Sequence, residues 1–382
     1  ALCMLMSFGG SFAYAAEEQS NSENLVIEQL DRNDINLDLA QNSAVNSDLV
    51  LNEEEIDPEE IVRVVVVMEG ESIVQMNSAA VVDDATTELA AQMEQAQAEV
   101  IAEIESSILD GEKLDIAYNY TWLVNGFATK VPYGAIKDIA KLDGVKDVVR
   151  QIRYNVCKTD EVALPHTIHD GVTIGRESTW GKGYTGEGMK IAIIDTGLDI
   201  DHQNFAPLSE DKLTDTSADK STVAAVLDSL NATARFEGLT ADDLYYNTKV
   251  VYGFNYCDDN LNITHDFDNM GPHGTHVAGI AAANKVDGSE VVGVAPDAQL
   301  YVLKVFGEDG GAYPDDILAA LEDALKLGAD VINMSLGTPG GFTTGDILAN
   351  GKLLDPVYES VAQTGTILSV SVGNNYTSAF AN

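Results

Sequence analysis

From Met189 to Val372 the chain alternates apolar, strand-like runs with helix-like stretches, and no other feature constrains its fold as strongly. Met189 to Asp195 is a continuous apolar run, Gly274 to Ala283 a small-residue helix, and Gln299 to Phe306 a second apolar run. Asp315 to Leu327 carries apolar residues at helical spacing behind an acidic start. Val331 to Ser335, a helix over about Asp355 to Gln363, and Thr366 to Val372 continue the alternation. Strands apolar on every residue are buried on both faces, so this pattern predicts an α/β fold, a parallel sheet with helices on both faces. Between Gln203 and Val250 a long polar insert, helical at Val223 to Leu230, reads as a surface elaboration outside the core.

A smaller unit precedes this one. Ile61 to Val67, IVRVVVV, is a β-branched run, and Thr86 to Leu109 has apolar residues at three- and four-residue spacing. Leu114 to Trp122 and Gly126 to Val131 read as strands paired around the turn dipeptide Asn125-Gly126. Pro132 opens a helix to Leu142, and Val145 to Ile152 is a last strand. The order β-α-β-β-α-β over 61–152 is that of a ferredoxin-like α+β domain. Residues 153–183, with Pro165, His166, His169 and several glycines, predict an exposed connection to the second domain, 184–382. Residues 1–16 form an apolar run closing on Ala13-Tyr14-Ala15, the pattern of a partial signal peptide; Arg32 is the first basic residue. Export to the exterior or the cell envelope is therefore expected. Residues 17–60 are acidic with few aromatics and predict a disordered leader.

In an open parallel sheet functional groups gather beyond the carboxyl ends of strands, which is where IAIIDTGLDIDH puts Asp195. The stretch GPHGTHVAG sets His273 at the first turn of a helix. A histidine titrates near neutral pH and can take a proton from a hydroxyl and return it to a leaving amine. It needs a carboxylate to fix its tautomer, which Asp195 supplies, and a serine or cysteine within reach. Taken singly, Asp195 reads as a turn-former before Gly197 and His273 as a structural histidine in a glycine-rich turn. The pairing gives them weight.

The 382 residues carry a formal net charge of −41, which excludes nucleic acid and anionic membrane surfaces as partners and favours cations such as calcium. Cys3, Cys157 and Cys257 are too few and too scattered for a disulfide framework or a zinc cluster, while a bridge from Cys157 to Cys257 stays open. Asp258, Asp259, Asp266 and Asp268 form an acidic loop without EF-hand spacing and read as a solvated face. His276 lies three residues after His273, whereas a zinc-protease helix has histidines four apart with a glutamate beside the first. No metal is assigned, and His276 is expected to be packed or hydrogen-bonded.

DTGLD at Asp195, HGTHVAG at His273, GVAPDAQLYVLKVF at Gly293, INMSLG at Ile332 and SVGNN at Ser371, in that order, resemble the subtilisin-like serine proteases. The resemblance covers about Tyr184 to the end, and 61–152 resembles the inhibitory pro-domain of the same enzymes. The insert and the acidic leader resemble the lactocepin-like cell-envelope proteinases of Gram-positive bacteria. What this implies is a secreted serine endopeptidase zymogen acting on protein or peptide substrates, with its own pro-domain as intramolecular inhibitor. Asp195 would orient His273, His273 would be the general base toward a serine, and Asn374 would donate to the oxyanion. Ser335, Leu336 and Gly337 would offer one main-chain edge to an extended peptide, and Gly310, Gly311 and Ala312 the other. Without the resemblance both stretches read as ordinary loops. The chemistry would require no cofactor, and a structural calcium ion stays open. No Gly-Thr-Ser-Met-like nucleophile motif is present, so the serine is expected beyond Asn382 and the present residues alone are expected to be inactive. The alternatives are a metallohydrolase and an inactive relative kept as a binding module; joint retention of Asp195, His273 and Asn374 argues against the latter.

Overall fold

The computed structural model describes residues 56–78, 80–156, 174–236, 238–265, 271–289, 291–307, 310–337 and 344–371, with backbone alone at 155–156 and 344–349. Strand β1 (Ile61–Met68) organises the first unit. Its Val62, Val64, Val66 and Met68 enter one core with Val100 and Ile104, while Val65 enters a second core on the opposite face. Covered on both sides, the strand needs no polar alternation, which accounts for its unbroken β-branched run. Helix α1 (Ile73–Asn77) follows, then α2 (Asp84–Ser107). The latter starts two residues before the apolar spacing does, because Asp83 and Thr86 cap each other's backbone N–H.

Strands β2 (Tyr118–Tyr120), β3 (Gly126–Pro132) and β4 (Val145–Arg150) complete an antiparallel sheet ordered β2-β3-β1-β4, the ferredoxin-like arrangement. Asn125-Gly126 is not the centre of the β2–β3 turn. Gly126 already pairs with Tyr120 and Val67, and a Cβ on it would lie 2.2 Å from the carbonyl oxygen of Val66. Glycine is there for the close approach of β1. The helix expected from Pro132 is reduced to a 3-10 turn at Tyr133–Ala135 and a single turn at Ile136–Ile139. Beyond β4 the chain stays extended into β5 (Asn155–Val156).

The second unit is a parallel sheet of β6 (Lys190–Asp195), β7 (Val250–Asn255), β8 (Gln299–Lys304), β9 (Val331–Met334) and β11 (Ile367–Val370), ordered β11-β9-β6-β8-β7; β10 (Leu336–Gly337) lies outside it. Helix α3 (His273–Ala282) packs Ala278 and Ala282 on Ile191 and Ile193. On the other face Ala192 and Ile194 meet Ile317 and Leu321 of α4 (Pro314–Lys326), in a core that also holds Val357 and Val361 of α5 (Thr344–Gln363). The expected α/β architecture is therefore present, helices on both faces included. Among the described residues no helix is long and apolar enough to cross a membrane.

Three elements depart from the sequence reading. Strand β7, VVYGFN, begins where the polar insert ends and has no counterpart in the sequence reading, although every residue of it is buried. The insert itself is not a surface elaboration: Val223, Leu230, Ala232, Leu239 and Leu244 join the main core. Asp323 of α4 fixes it by accepting from the N–H groups of Asn231 at 2.7 Å and Ala232 at 3.0 Å. Helix α5 begins at Thr344 and runs through Pro356 instead of starting beside it.

The two units share a core. Tyr118, Tyr120, Trp122 and Leu123 of the first pack in the same cluster as Leu318, Leu321 and Leu325 of α4. Every residue from Pro314 to Lys326 is buried, because one face of α4 lies on the parallel sheet and the first unit covers the other. The covered face is polar and is satisfied across the contact. Tyr120 Oη donates to Asp315 O at 2.8 Å, and Glu322 Oε1 accepts from the N–H groups of Trp122 at 2.9 Å and Leu123 at 2.8 Å.

Candidate active site

Asp195 ends β6 and is fully buried. His273 opens α3, and its Nδ1 lies 2.8 Å from Asp195 Oδ1 and 3.0 Å from Oδ2. A carboxylate so placed accepts the Nδ1–H and leaves Nε2 as the proton acceptor. Two glycines let the helix start come this close. A Cβ on Gly274 would lie 2.3 Å from Gly197 O, and one on Gly197, at φ +103°, would lie 2.2 Å from Ile263 O. Thr196 ties the two elements together: its hydroxyl accepts from Gly274 N–H at 2.9 Å and donates to Gly271 O at 3.2 Å. Its N–H donates to Asp195 Oδ1 at 2.7 Å, and its carbonyl accepts from the buried Lys304 Nζ at 2.7 Å. The sequence reading singled out neither Thr196 nor Lys304, since neither stands in a spacing that marks a function.

The glycine-rich stretches flank a strand from the first unit. Leu336 pairs with Val156 and Gly337 with Asn155, antiparallel, so β10 and β5 form a two-stranded sheet. On the opposite edge Tyr154 N–H donates to Ala312 O at 2.7 Å and Ala312 N–H donates to Tyr154 O at 3.1 Å. Tyr154 is buried in the main core. Gly310 turns at φ +76°, and the Arg153 side chain lies across Gly311, where a Cβ would fall 2.0 Å from Nε. Ser335 precedes β10 and its Oγ accepts from Asn333 Nδ2 at 3.0 Å. The chain thus lays its own residues 154–156 as an extended peptide between the two edges.

Asn374, Cys157, Asp266 and Asp268 lie outside the described residues. Cys257 is a free thiol whose pKa burial pushes up. Of the two expectations for His276, packing does not hold: it is exposed on α3, whose buried positions are Gly274, Ala278 and Ala282. In the acidic loop Asp259 pairs with Arg235 at 2.9 Å and Asp258 accepts from Asn255 Nδ2 at 2.9 Å, so part of it is bonded and not merely solvated. Among the described residues no group of three or more His, Cys, Asp or Glu side chains is placed to hold a metal ion.

Residues 186–381 match the Subtilase family and residues 64–156 match Peptidase inhibitor I9. The chain belongs to the subtilase family. It is 33% identical over 326 residues to the PII-type proteinase of Lactococcus lactis subsp. cremoris, a match covering 81% of this chain and 16% of that protein. To the minor extracellular protease Vpr of Bacillus subtilis (strain 168) it is 29% identical over 231 residues, 57% of this chain and 23% of that one. Fervidolysin from Fervidobacterium pennivorans, a keratinolytic enzyme related to subtilisin, aligns structurally with TM-score 0.49 at 18% identity, over 87% of this chain and 42% of that one. The inhibitor-family match falls on the unit that ends in β5.

Proposed function

We propose that the complete protein is a secreted or cell-envelope serine endopeptidase, made as a zymogen, that hydrolyses peptide bonds of protein or peptide substrates. The observation that carries this reading is the Asp195–His273 pair, at 2.8 Å, in a chain whose own segment already lies extended between β10 and Ala312. His273 Nε2 takes the hydroxyl proton of a serine beyond Asn382 as the serine oxygen bonds to the scissile carbonyl carbon, then passes that proton to the departing amine. Asp195 holds the Nδ1–H and offsets the charge on the imidazolium. Asn374 donates to the oxyanion. Ser335, Leu336 and Gly337, with Gly310 and Gly311, bind the substrate backbone. Residues 61–152 are the intramolecular inhibitor, released when the connection is cut between about Asn155 and Pro165. The chemistry asks for no cofactor, calcium being at most a structural ion, and the charge of −41 disfavours nucleic acid. The chain spans 16% of the length of the lactococcal proteinase it matches, which leaves ample room for a serine-bearing segment.

In the complete protein a fluorophosphonate probe is expected to label one serine. His273→Ala or Asp195→Asn is expected to lower turnover about ten-thousandfold, roughly 5 kcal/mol of barrier, a magnitude taken from dissected serine-protease triads, subtilisin among them. Undiminished proteolysis by His273→Ala would sink the assignment.

A further inference from the structure

At the start of α4 a second arrangement of charges takes no part in the proposed chemistry. Asp315 and Asp316 are both buried. Enclosed carboxylates persist only where hydrogen bonds or a counter-charge hold them. Here the counter-charge is the guanidinium of Arg63: Nη1 lies 3.1 Å from Asp315 Oδ1 and 3.3 Å from Asp316 Oδ2, and Cζ stands 4.3 Å from the centre of the Tyr313 ring. Two carboxylates and an aromatic face are the surroundings a planar guanidinium prefers over those of a compact ammonium. Burial works against the Arg63 charge, yet the two carboxylates outweigh it and hold its pKa above the ordinary value. Cys257, Asp259 and Arg235 line the same small cavity, of about 40 Å³.

The ligand and the seat belong to different units. Arg63 is in β1, within 61–152, whereas Tyr313, Asp315 and Asp316 lie in the subtilase match. The extended segment connects them. Gln151 N–H donates to Arg63 O at 3.0 Å, and Gln151 Oε1 accepts from Asp315 N–H at 3.1 Å. Three residues on, Tyr154 exchanges both main-chain bonds with Ala312. A peptide lying as this segment lies therefore brings the third residue before the Ala312 partner alongside the carboxylates. Glutamine already spans that gap with a side chain shorter than arginine's.

We propose that Tyr313, Asp315 and Asp316 form a guanidinium seat, filled by Arg63 in this chain, that in the freed protease reads an arginine of the substrate three residues upstream of the one paired with Ala312. The substrate half of this proposal rests on the peptidase reading above; the seat itself does not. Removal of Arg63 leaves two adjacent carboxylates at one helix start, and an arriving arginine restores the neutralised arrangement with no rebuilding of the site.

Two measurements keep the parts distinct. In the 382-residue chain, Arg63→Ala empties the seat, and millimolar N-ethylguanidinium is then expected to raise the melting temperature saturably, more than ethylammonium does. The unsubstituted chain and Arg63→Ala/Asp315→Asn/Asp316→Asn are expected to show no saturable rise. Arg63→Gln replaces Arg63→Ala if the latter does not fold, and absence of the rise in the folded variant would overturn the seat. In the active protease, two peptides spanning residues 148–163, one natural and one carrying Gln151→Arg, are compared. The Gln151→Arg peptide is expected to have a kcat/KM about tenfold higher, the least that a charged hydrogen bond supplies, and Asp315→Asn/Asp316→Asn in the protease is expected to bring the two near parity. Equal kcat/KM in the unsubstituted protease would overturn the substrate half. Cleavage of neither peptide would overturn the peptidase reading together with that half, and the melting experiment would still decide the seat.

Discussion

At Gly274 the space for a side chain is already taken by the strand end it touches. A methyl group there would fall 2.3 Å from Gly197 O and 3.1 Å from Asp195 Oδ1. A backbone oxygen cannot swing aside, so the helix start would have to retreat. Gly274→Ala is therefore expected to cost about 1–3 kcal/mol of stability through overpacking. It should also draw His273 away from Asp195, and a displacement of about 1 Å is worth roughly a hundredfold in turnover. Thermal melting of this chain reads the first effect and kcat of the active protease the second; no change in either would show that the contact yields freely. Asp195 and His273 could be picked from the sequence because proton transfer demands those side chains. Thr196 could not, since a threonine after an aspartate says nothing about which loop its hydroxyl will bridge.

Among the elements, α4 shows best what a one-dimensional pattern leaves out. Its spacing marks one apolar face behind an acidic start, and nothing in it marks the opposite face as covered. In the structure both faces are covered, and Glu322 carries the two N–H groups of Trp122 and Leu123. Glu322→Ala would leave both donors enclosed without their acceptor, at about 1–3 kcal/mol each, so a loss of about 2–6 kcal/mol in docking of the first unit is expected. Urea unfolding followed by tryptophan emission, with Trp122 at the contact, would report it as an earlier transition. An unmoved midpoint would mean that water or another group takes over both donors. The same limit explains β7 and the insert: Gly253 interrupts a short apolar run, and the placement of Asn231 and Ala232 depends on Asp323, about ninety residues away. The strands of the parallel sheet that carry uninterrupted apolar runs, β6 and β8, were legible because burial on both faces leaves its mark on every residue.

Across the whole molecule the carboxylates fall into two groups. Asp315, Asp316, Glu322 and Asp323 are enclosed where the units meet, and burial pushes each pKa up, with Arg63 or Lys326 pulling the other way. Exposed caps go down: Asp83 accepts from Thr86 and Asp219 from Ser221 and Thr222. With a raised folded value the folded chain keeps a proton that the unfolded chain has released. Its contribution is therefore full below the ordinary range near 4 and lost as pH climbs through the raised value. For the lowered group, the contribution is present above about 4 and lost as pH drops through the lowered value. Melting temperature should consequently peak on the mildly acid side and decline toward pH 8, with Asp316→Asn flattening the decline. A melting temperature that climbs steadily from pH 5 to pH 8 would contradict this. The pairing of β5 with β10 has a kinetic side as well. Both strands belong to one polypeptide, so their meeting is first order and indifferent to dilution, at a local concentration that for short flexible tethers is on the order of millimolar. A free peptide has to outcompete that occupant, whereas the same segment, once severed, becomes an ordinary solute whose hold weakens with every dilution.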